Sequence, residues 1–184
     1  MRAIGIILAG GSSKRMTELT TKRATSALPI AGGYRSIDFA LSSMSNSHIS
    51  KVAVFTQFNS KSLTQHLNSS KWWDFGRKQG GLFVFTPTQT QDNSYWYRGT
   101  ADAIAQNMDF LKTSHEPYVV IASGDCVYKL DMNKVLEYHL SKNADITIVT
   151  KDLGETDDPS RFGVVSVDEN GLVTKLEEKP IVTS

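Results

Sequence analysis

The chain has 184 residues, of which 40% are hydrophobic, a size that suits one well-buried domain better than two. Lys and Arg total 20 and Asp and Glu total 19, so the formal charge of +1 argues against a nucleic acid or a membrane as a general partner. The single cysteine, Cys126, excludes an internal disulfide. No apolar run reaches the roughly 18 residues of a membrane span, and early charged residues exclude a secretory signal. We therefore expect a cytoplasmic protein.

The first half of the chain alternates between short apolar runs and segments with helical spacing. Residues 3–9 are an apolar run that stops at Gly10 and Gly11, as a strand buried on both faces does. Ile37, Leu41 and Met44 lie three to four residues apart, which predicts a helix. The elements predicted here are strand 3–9, helix 36–44, strand 51–56, helix 60–67 and strand 82–87, the last ended by Pro87.

The second half continues the alternation. A helix over 100–112 is predicted, with Thr100 as its cap, Asp102 in its first turn, and Ile104, Met108 and Leu111 on its buried face. The remaining predicted elements are strand 118–122, helix 132–141, strand 145–150, and a hairpin of strands 163–167 and 172–177 joined at Asn170-Gly171. The pattern predicts the α/β class with a mainly parallel sheet.

Two places at the carboxyl ends of predicted strands are candidates for chemistry, because ligands of open α/β sheets collect there. At the first, backbone amides from Gly10 and Gly11 could surround a phosphate, with charge from Lys14 or Arg15; an ordinary tight turn is the alternative. The loop lacks the Walker and dinucleotide fingerprints. At the second, Asp125 could hold a magnesium ion, or it could cap the following turn.

Other common catalytic arrangements are missing from the sequence. There is no GxSxG nucleophile elbow, and the four histidines do not have the spacing of zinc ligands, so we interpret them as surface or packing residues. Trp72, Trp73 and Trp96, with Tyr95 and Tyr97, could stack on a base or a sugar, although packing in the core is the commoner use, above all for Trp72 and Trp73.

Taken together, the short motifs resemble one family along essentially the whole chain. They are Leu8-Ala9-Gly10-Gly11 with Arg15, Lys22-Arg23-Ala24, Gly33-Tyr34-Arg35, Ile37-Asp38-Phe39, Thr56-Gln57, Trp96-Tyr97-Arg98-Gly99-Thr100-Ala101-Asp102-Ala103, Ser123-Gly124-Asp125, Phe162-Gly163-Val164 and Glu178-Lys179-Pro180. In order and spacing they resemble the N-terminal part of glucose-1-phosphate adenylyltransferases. The resemblance implies a Rossmann-like nucleotidyltransferase domain with helices on both faces of the sheet.

The family resemblance also implies a reaction and a set of site residues. ATP would donate AMP to glucose 1-phosphate with the help of Mg2+, giving ADP-glucose and pyrophosphate. The implied catalytic residues are Arg15 and Asp125, with Asp125 as the metal ligand. The implied nucleotide-binding positions are Leu8, Ala9, Gly10, Gly11, Lys14, Gln89, Gly99 and Thr100. The implied sugar-phosphate positions are Glu178, Lys179 and Gly163, and an allosteric relay is expected at Gln57 and Trp96.

The sequence departs from the family pattern inside these motifs. Ser13 replaces a loop glycine, Thr25 a lysine, Ser26 a proline and Cys126 a histidine. Because a cation near the triphosphate is lost, the pattern resembles the weakly catalytic, D-type regulatory subunit of bacterial glycogen synthesis, which assembles into hetero-tetramers with the catalytic subunit. A fully active adenylyltransferase is the first alternative. A dinucleotide-binding oxidoreductase domain is the second.

Length is the last expectation drawn from the resemblance. Family members continue past this point with a second metal-binding carboxylate, the rest of the sugar pocket and a C-terminal β-helix domain. We therefore expect residues 1–184 to be one nucleotidyltransferase domain truncated at its C-terminal side, without the β-helix domain and poorly active by itself.

Overall fold

The computed structural model describes residues 2–11, 14–68, 70–76, 80–89, 95–154 and 158–180. Its contacts divide the chain into two compact units, Met1–Asp145 and Ile146–Ser184. That both belong to one nucleotidyltransferase domain stays a prediction. In the described part of the chain, no helix has the length and apolar character needed to cross a bilayer.

The first unit contains six strands and five α-helices in its described residues. The strands are β1 (Ala3–Leu8), β2 (Pro29–Ile30), β3 (Tyr34–Arg35), β4 (Lys51–Phe55), β5 (Gly81–Phe85) and β6 (Tyr118–Ser123). The helices are α1 (Ser36–Asn46), α2 (Lys61–Leu67), α3 (Thr100–Gln106), α4 (Met108–Lys112) and α5 (Met132–Ser141). Short 3₁₀ helices cover Lys14–Thr20, Thr25–Ala27 and Ser70–Trp73.

A four-stranded parallel sheet with the order β5-β4-β1-β6 forms the centre of this unit. The central strand β1 is buried on both faces, because its neighbours β4 and β6 pair with it along its whole length and helices cover the sheet. This confirms the predicted α/β class with a parallel sheet. The predicted strand and helix segments before residue 90 are confirmed to within two residues at each end.

Helices lie on both faces of the sheet, as the family resemblance implied. On one face, Ile37, Leu41 and Met44 of α1 are fully buried, together with residues of α2 and α5. On the other face, Ala103 of α3 packs with Ile6 of β1 and its neighbours. Helix α1 starts where the Asp38 carboxylate accepts a hydrogen bond from the Arg35 backbone N–H at 2.9 Å. Such a contact satisfies one of the amide groups that a helix start leaves unpaired.

The predicted single helix over 100–112 is wrong, because the chain forms two helices separated at Asn107. The Asn107 side chain donates to the Ala103 carbonyl at 2.8 Å and to the Tyr97 hydroxyl at 3.0 Å, a local competition that interrupts helical hydrogen bonding. Thr100 is the first helical residue and not the cap; the carboxylate of Asp102, in the first turn as predicted, accepts from the Arg98 N–H at 2.9 Å.

The prediction that Ile104, Met108 and Leu111 share one buried face is also wrong in part. Met108 is 38% exposed, whereas Ile104 and Leu111 are partly buried against the second apolar cluster. Ala103 is the fully buried position of α3. The break at Asn107 explains the difference, because residues on either side of it no longer share one helical face.

The predicted strand over 145–150 does not form among the described residues. Ile146, Ile148 and Val149 supply the β-branched pattern that predicted it, yet their side chains are at least half exposed. A strand needs a neighbour for its ladder hydrogen bonds, and no described strand pairs with this segment.

The second unit contains the predicted hairpin, formed by β7 (Gly163–Val167) and β8 (Val173–Glu178) after a 3₁₀ turn at Pro159–Arg161. Gly171 at the connection has φ +79°, a left-handed conformation that glycine adopts without a steric penalty. The side chain of Asp168 accepts from the N–H groups of Asn170 and Leu172, which closes the turn.

Candidate functional site

The carboxyl ends of three neighbouring strands place the segments that carry Gly10, Gln57 and Asp125 at one edge of the sheet. Leu8 in the centre is in register with Phe55 on one side and Ser123 on the other. The Ala9 N–H donates to the Phe55 carbonyl at 2.8 Å, and the Gly124 N–H donates to the Leu8 carbonyl at 2.9 Å. The backbones therefore remain adjacent one residue beyond the sheet. The segments that follow the three strands leave the sheet side by side.

Gly10 and Gln57 meet at this edge. A β-carbon added at Gly10 would lie 3.4 Å from the Gln57 Cγ, an ordinary van der Waals distance, so the two residues are close neighbours. The Gln57 Nε2 donates to the Tyr97 carbonyl at 3.4 Å, which connects the segment after β4 to the segment before α3. By contrast, a β-carbon at Gly11 would meet nothing within 4 Å among the described atoms. The loop is therefore open on the Gly11 side.

Trp96 and Tyr97 have opposite environments. Trp96 is 58% exposed and stacks on Phe58, with ring centroids 5.2 Å apart and an interplanar angle of 6°. Tyr97 is buried in the second apolar cluster, and this burial raises the pKa of its hydroxyl. Gln57 and Trp96, expected together in an allosteric relay, thus lie on contiguous segments after β4 and before α3; the relay itself stays a prediction.

Asp125 follows a close-packed glycine. A β-carbon at Gly124 would lie 3.0 Å from the Ser26 Oγ, 3.1 Å from the Ile7 Cγ2 and 3.3 Å from the Ala9 Cβ. The exposed Asp125 carboxylate accepts a short hydrogen bond from the Ser123 Oγ, and the Cys126 thiol lies 3.8 Å from the same oxygen. The packing at Gly124 therefore fixes the backbone position from which the Asp125 side chain extends.

The 3₁₀ turn at Thr25–Ala27 lies beneath this edge. Ser26 is 2% exposed and fills the space next to Gly124. The Thr25 Oγ1, the Thr56 Oγ1 and the Gln57 Oε1 are buried atoms without a hydrogen-bond partner among the described residues. Buried polar atoms are usually paired, so these three are exceptions among the described residues.

The start of α3 is held by a cluster of polar contacts. Asp102 accepts from the Arg98 guanidinium at 3.1 Å and from the Gln106 amide at 2.9 Å, in addition to the Arg98 N–H. The Arg98 N–H, followed by the Arg98 guanidinium, holds the pKa of Asp102 below its ordinary value. Gly99 and Thr100 are exposed at this start, and a β-carbon at Gly99 would meet nothing within 4 Å. That Gly99 and Thr100 bind a nucleotide stays a prediction.

For the other candidate residues of the first unit, the structure gives the element or the exposure. Lys14 and Arg15 begin the 3₁₀ helix Lys14–Thr20, and Ser13 lies outside the described residues. Gln89 is exposed, four residues beyond the end of β5. Leu8 is partly buried and Ala9 is buried.

The two neighbouring tryptophans differ in a way that the sequence did not predict. Trp73 is 7% exposed and packs edge-on against His66, as the preference for core packing predicted. Trp72, for which packing was also favoured, is 80% exposed. Adjacent residues in a short 3₁₀ turn face different directions, so only one of the pair enters the core.

The expected sugar-phosphate residues all belong to the second unit. Gly163 pairs with Glu178 across the hairpin, and a β-carbon at Gly163 would lie 3.1 Å from the Glu178 Oε2. The Lys179 Nζ lies 3.3 Å from the Glu178 Oε1, in a pair that is mostly exposed. Lys179 has φ +49°, and its N–H donates to the Phe162 carbonyl at 2.9 Å. The glycine therefore makes room for the carboxylate beside the ammonium group.

Sequence reasoning missed several residues that shape the edge of the sheet. Tyr97 and Asn107 hold the segment before α3, and Ser26 packs against Gly124. Asn59 donates to two backbone carbonyls of the segment that follows Arg15. The asparagine in the turn between β4 and α2 was the available signal, because asparagine favours turns and left-handed backbone.

A parallel sheet with glycine-rich and acidic segments gathered at its carboxyl edge is the architecture of a nucleotide-binding α/β protein. The family profile described as "Nucleotidyl transferase" matches residues 4–184. The chain belongs to this nucleotidyl transferase family. This assignment displaces the oxidoreductase alternative, which rested on Gly10 and Gly11 alone.

The chain is also similar to curated proteins named glucose-1-phosphate adenylyltransferase. The protein from Mycoplasma mobile is 42% identical over 177 residues, which cover 96% of this chain and 46% of the relative. The protein from Lachnospira eligens is 44% identical over 96% of this chain and 42% of its own length. The protein from Clostridium acetobutylicum is 42% identical, with coverages of 96% and 46%. The chain spans less than half the length of these relatives.

The packing at Gly124 predicts a difference between two glycines of this edge. Gly124→Ala should lower the free energy of unfolding by about 1–3 kcal/mol, because the added methyl group meets three close neighbours. Gly11→Ala is the matched control and should change it by about 0.5 kcal/mol or less, since it adds the same group to open space. Urea denaturation measures both; equal effects would contradict the packing argument.

The lowered pKa of Asp102 predicts a pH-dependent contribution to stability. The carboxylate stabilises the fold fully above its ordinary pKa of 3.8, and the contribution is lost as the pH falls through the lower pKa of the folded state. The difference in free energy of unfolding between wild type and Asp102→Asn should therefore be constant near neutral pH and shrink in acid. Urea titrations between about pH 7 and pH 3 measure it.

Proposed function

We propose that the protein takes part in the transfer of AMP from ATP to glucose 1-phosphate, which gives ADP-glucose and pyrophosphate for glycogen or starch synthesis. The observation that carries the proposal is the adjacency of the Gly10–Gly11 loop and Asp125 at one edge of the sheet. Membership of the nucleotidyl transferase family and the names of the relatives support the reaction.

The reaction requires positioning and charge neutralisation. A phosphate oxygen of glucose 1-phosphate attacks the α-phosphorus of ATP; a new P–O bond forms and the bond to pyrophosphate breaks. No covalent bond to the protein is needed, which agrees with a sequence that lacks a nucleophile elbow. In this proposal the backbone at Gly10 and Gly11 approaches the nucleotide, with Leu8, Ala9, Gly99, Thr100 and Gln89 completing its site. Arg15, with Lys14 beside it, neutralises the phosphates.

Asp125 has the chemistry of a magnesium ligand. Mg2+ prefers oxygen ligands and is usually bound by one or two carboxylates together with substrate phosphates. The Asp125 carboxylate is exposed at the sheet edge, and among the described residues its Oδ1 accepts the hydrogen bond from the Ser123 Oγ. The described residues contain no group of three or more metal-binding side chains, so Asp125 would hold the ion jointly with phosphate oxygens. When bound, Mg2+ would stabilise negative charge that develops on the phosphates.

Glu178 and Lys179 are proposed to bind the sugar phosphate. An ammonium group binds phosphate as a point charge, and a carboxylate accepts hydrogen bonds from sugar hydroxyls. Their 3.3 Å contact keeps the two groups side by side, with Gly163 opposite providing space for the carboxylate. Both side chains are mostly exposed and can exchange this contact for substrate.

A second candidate role is that of a weakly catalytic regulatory subunit, which would form a hetero-tetramer with a catalytic adenylyltransferase subunit in the cytoplasm. Thr25 favours this role. The resemblance implies a lysine at this position. The Thr25 hydroxyl is instead buried, in the turn next to Ser26 and Gly124, and has no hydrogen-bond partner among the described residues. A hydroxyl cannot replace an ammonium group in stabilising charge on a triphosphate.

The proposed chemistry predicts the effects of two substitutions. Asp125→Asn and Arg15→Ala should each lower the rate of pyrophosphate release by about 100-fold or more, because each removes a charge from the reacting phosphates. The assay uses ATP, glucose 1-phosphate and Mg2+ with the protein expressed from its complete gene. Asp145→Asn, an exposed position, should leave the rate unchanged. Wild-type rates in both site variants would refute the assignment.

The regulatory role predicts a gain of activity. Thr25→Lys should raise pyrophosphate release by the protein alone by about tenfold or more, since it restores a cation beside the proposed triphosphate site. Thr174→Lys, which makes the same change on the exposed strand β8, should have no effect. Mixing the wild type with a catalytic subunit should alter the assembly and activation of that subunit. If mixing alters neither, the regulatory role is wrong.

A further inference from the structure

We propose that Asn59 is the positioning residue for the loop that carries Lys14 and Arg15. Its side-chain amide, in the turn after β4, forms hydrogen bonds with the backbone at the C-terminal end of that loop. This inference rests on the proposed function only where it concerns catalysis, because the attachment itself can be tested without any substrate.

The contacts of Asn59 are long-range in sequence. Its Nδ2 donates to the Thr20 carbonyl at 2.9 Å and to the Thr21 carbonyl at 3.2 Å, across 39 and 38 residues. The same amide nitrogen thus donates to two consecutive carbonyls of one short segment. The contact therefore fixes main-chain position and does not depend on the side chains at 20 and 21.

The backbone of Asn59 is adapted to this contact. Its φ of +48° is a left-handed conformation that costs most residues about 1 kcal/mol or more, and that asparagine tolerates better than others. A residue held in this conformation needs compensation from its surroundings. The two hydrogen bonds from its side chain supply that compensation.

The segment that Asn59 holds has little other support from apolar burial. In the 3₁₀ helix Lys14–Thr20, the Met16 and Leu19 side chains are 38% and 63% exposed. Thr17, with φ 36° and ψ −112°, interrupts the helix, and the hydroxyl groups of Thr20 and Thr21 return to its carbonyl. Such local contacts shape the segment without attaching it to the sheet.

One turn thus contacts both ends of the loop. Gln57 lies against Gly10 where the loop leaves β1, and Asn59, two residues later, binds Thr20 and Thr21 where it ends. The backbone of Arg15 lies between these two attachments. A cation that neutralises phosphate must be held in place before the reaction, and small displacements reduce the rate strongly. Asn59 would act through Arg15 and would not touch the substrate.

Limited proteolysis tests the attachment directly. Trypsin can cut after Lys14, Arg15, Lys22 and Arg23. Asn59→Asp replaces the donor with a carboxylate that repels both carbonyls and should make cleavage in this segment about fivefold to tenfold faster. Asn143→Asp, an exposed asparagine with a similar φ of +47° after α5, is the matched control and should cleave at the wild-type rate. Equal cleavage in Asn59→Asp and wild type overturns the inference.

A double-mutant cycle tests whether the attachment acts on Arg15. In the protein expressed from its complete gene, Asn59→Asp should lower kcat by about tenfold with little change in the KM for glucose 1-phosphate. In an Arg15→Ala background the same substitution should have little further effect. Equal losses in both backgrounds overturn the positioning role. If Arg15→Ala itself has no effect while cleavage is accelerated, the proposed function fails and the attachment stands.

Discussion

The arrangement of the candidate site depends on the parallel pairing of β1 with a strand on either side. Leu8 is in register with Phe55 and with Ser123, and the hydrogen bonds continue to Ala9 and Gly124 beyond the sheet. Chain segments that are more than a hundred residues apart in sequence therefore leave the sheet at the same level. The close approach at Gly124, where Ser26, Ile7 and Ala9 leave no room for a side chain, then sets where Asp125 begins.

Much of this architecture could be predicted from the pattern of residues, and the exceptions have identifiable causes. The helix over 132–141 and the buried strands follow from periodicity and composition, which are local properties. The division of helix 100–112 depends on the Asn107 side chain reaching the Tyr97 hydroxyl and the Ala103 carbonyl, a tertiary contact. The strand expected over 145–150 depends on a partner that no described strand provides.

For the candidate site too, the sequence predicted some residues and missed others. Gly10 and Asp125 could be selected because they follow strands, whereas Gln57 was named only through the family resemblance; the structure brings their three segments together. Gly163 and Glu178 occupy facing positions of the hairpin, with Lys179 directly after its second strand, whereas the resemblance alone had named these three residues. The roles of Ser26 and Asn59 could not be predicted, because a buried serine and a turn asparagine become informative only when their distant contacts are known.

The two contacts made by the turn after β4 have a consequence for binding energy. Closing a flexible loop of about a dozen residues carries an entropic cost, which a phosphate ligand would otherwise have to offset from its own contacts. Asn59 already holds the backbone of Thr20 and Thr21 in the folded protein, so that end of the segment needs no ligand to place it. Under the proposed function, a substitution that removes this contact would weaken phosphate binding without removing any ligand contact.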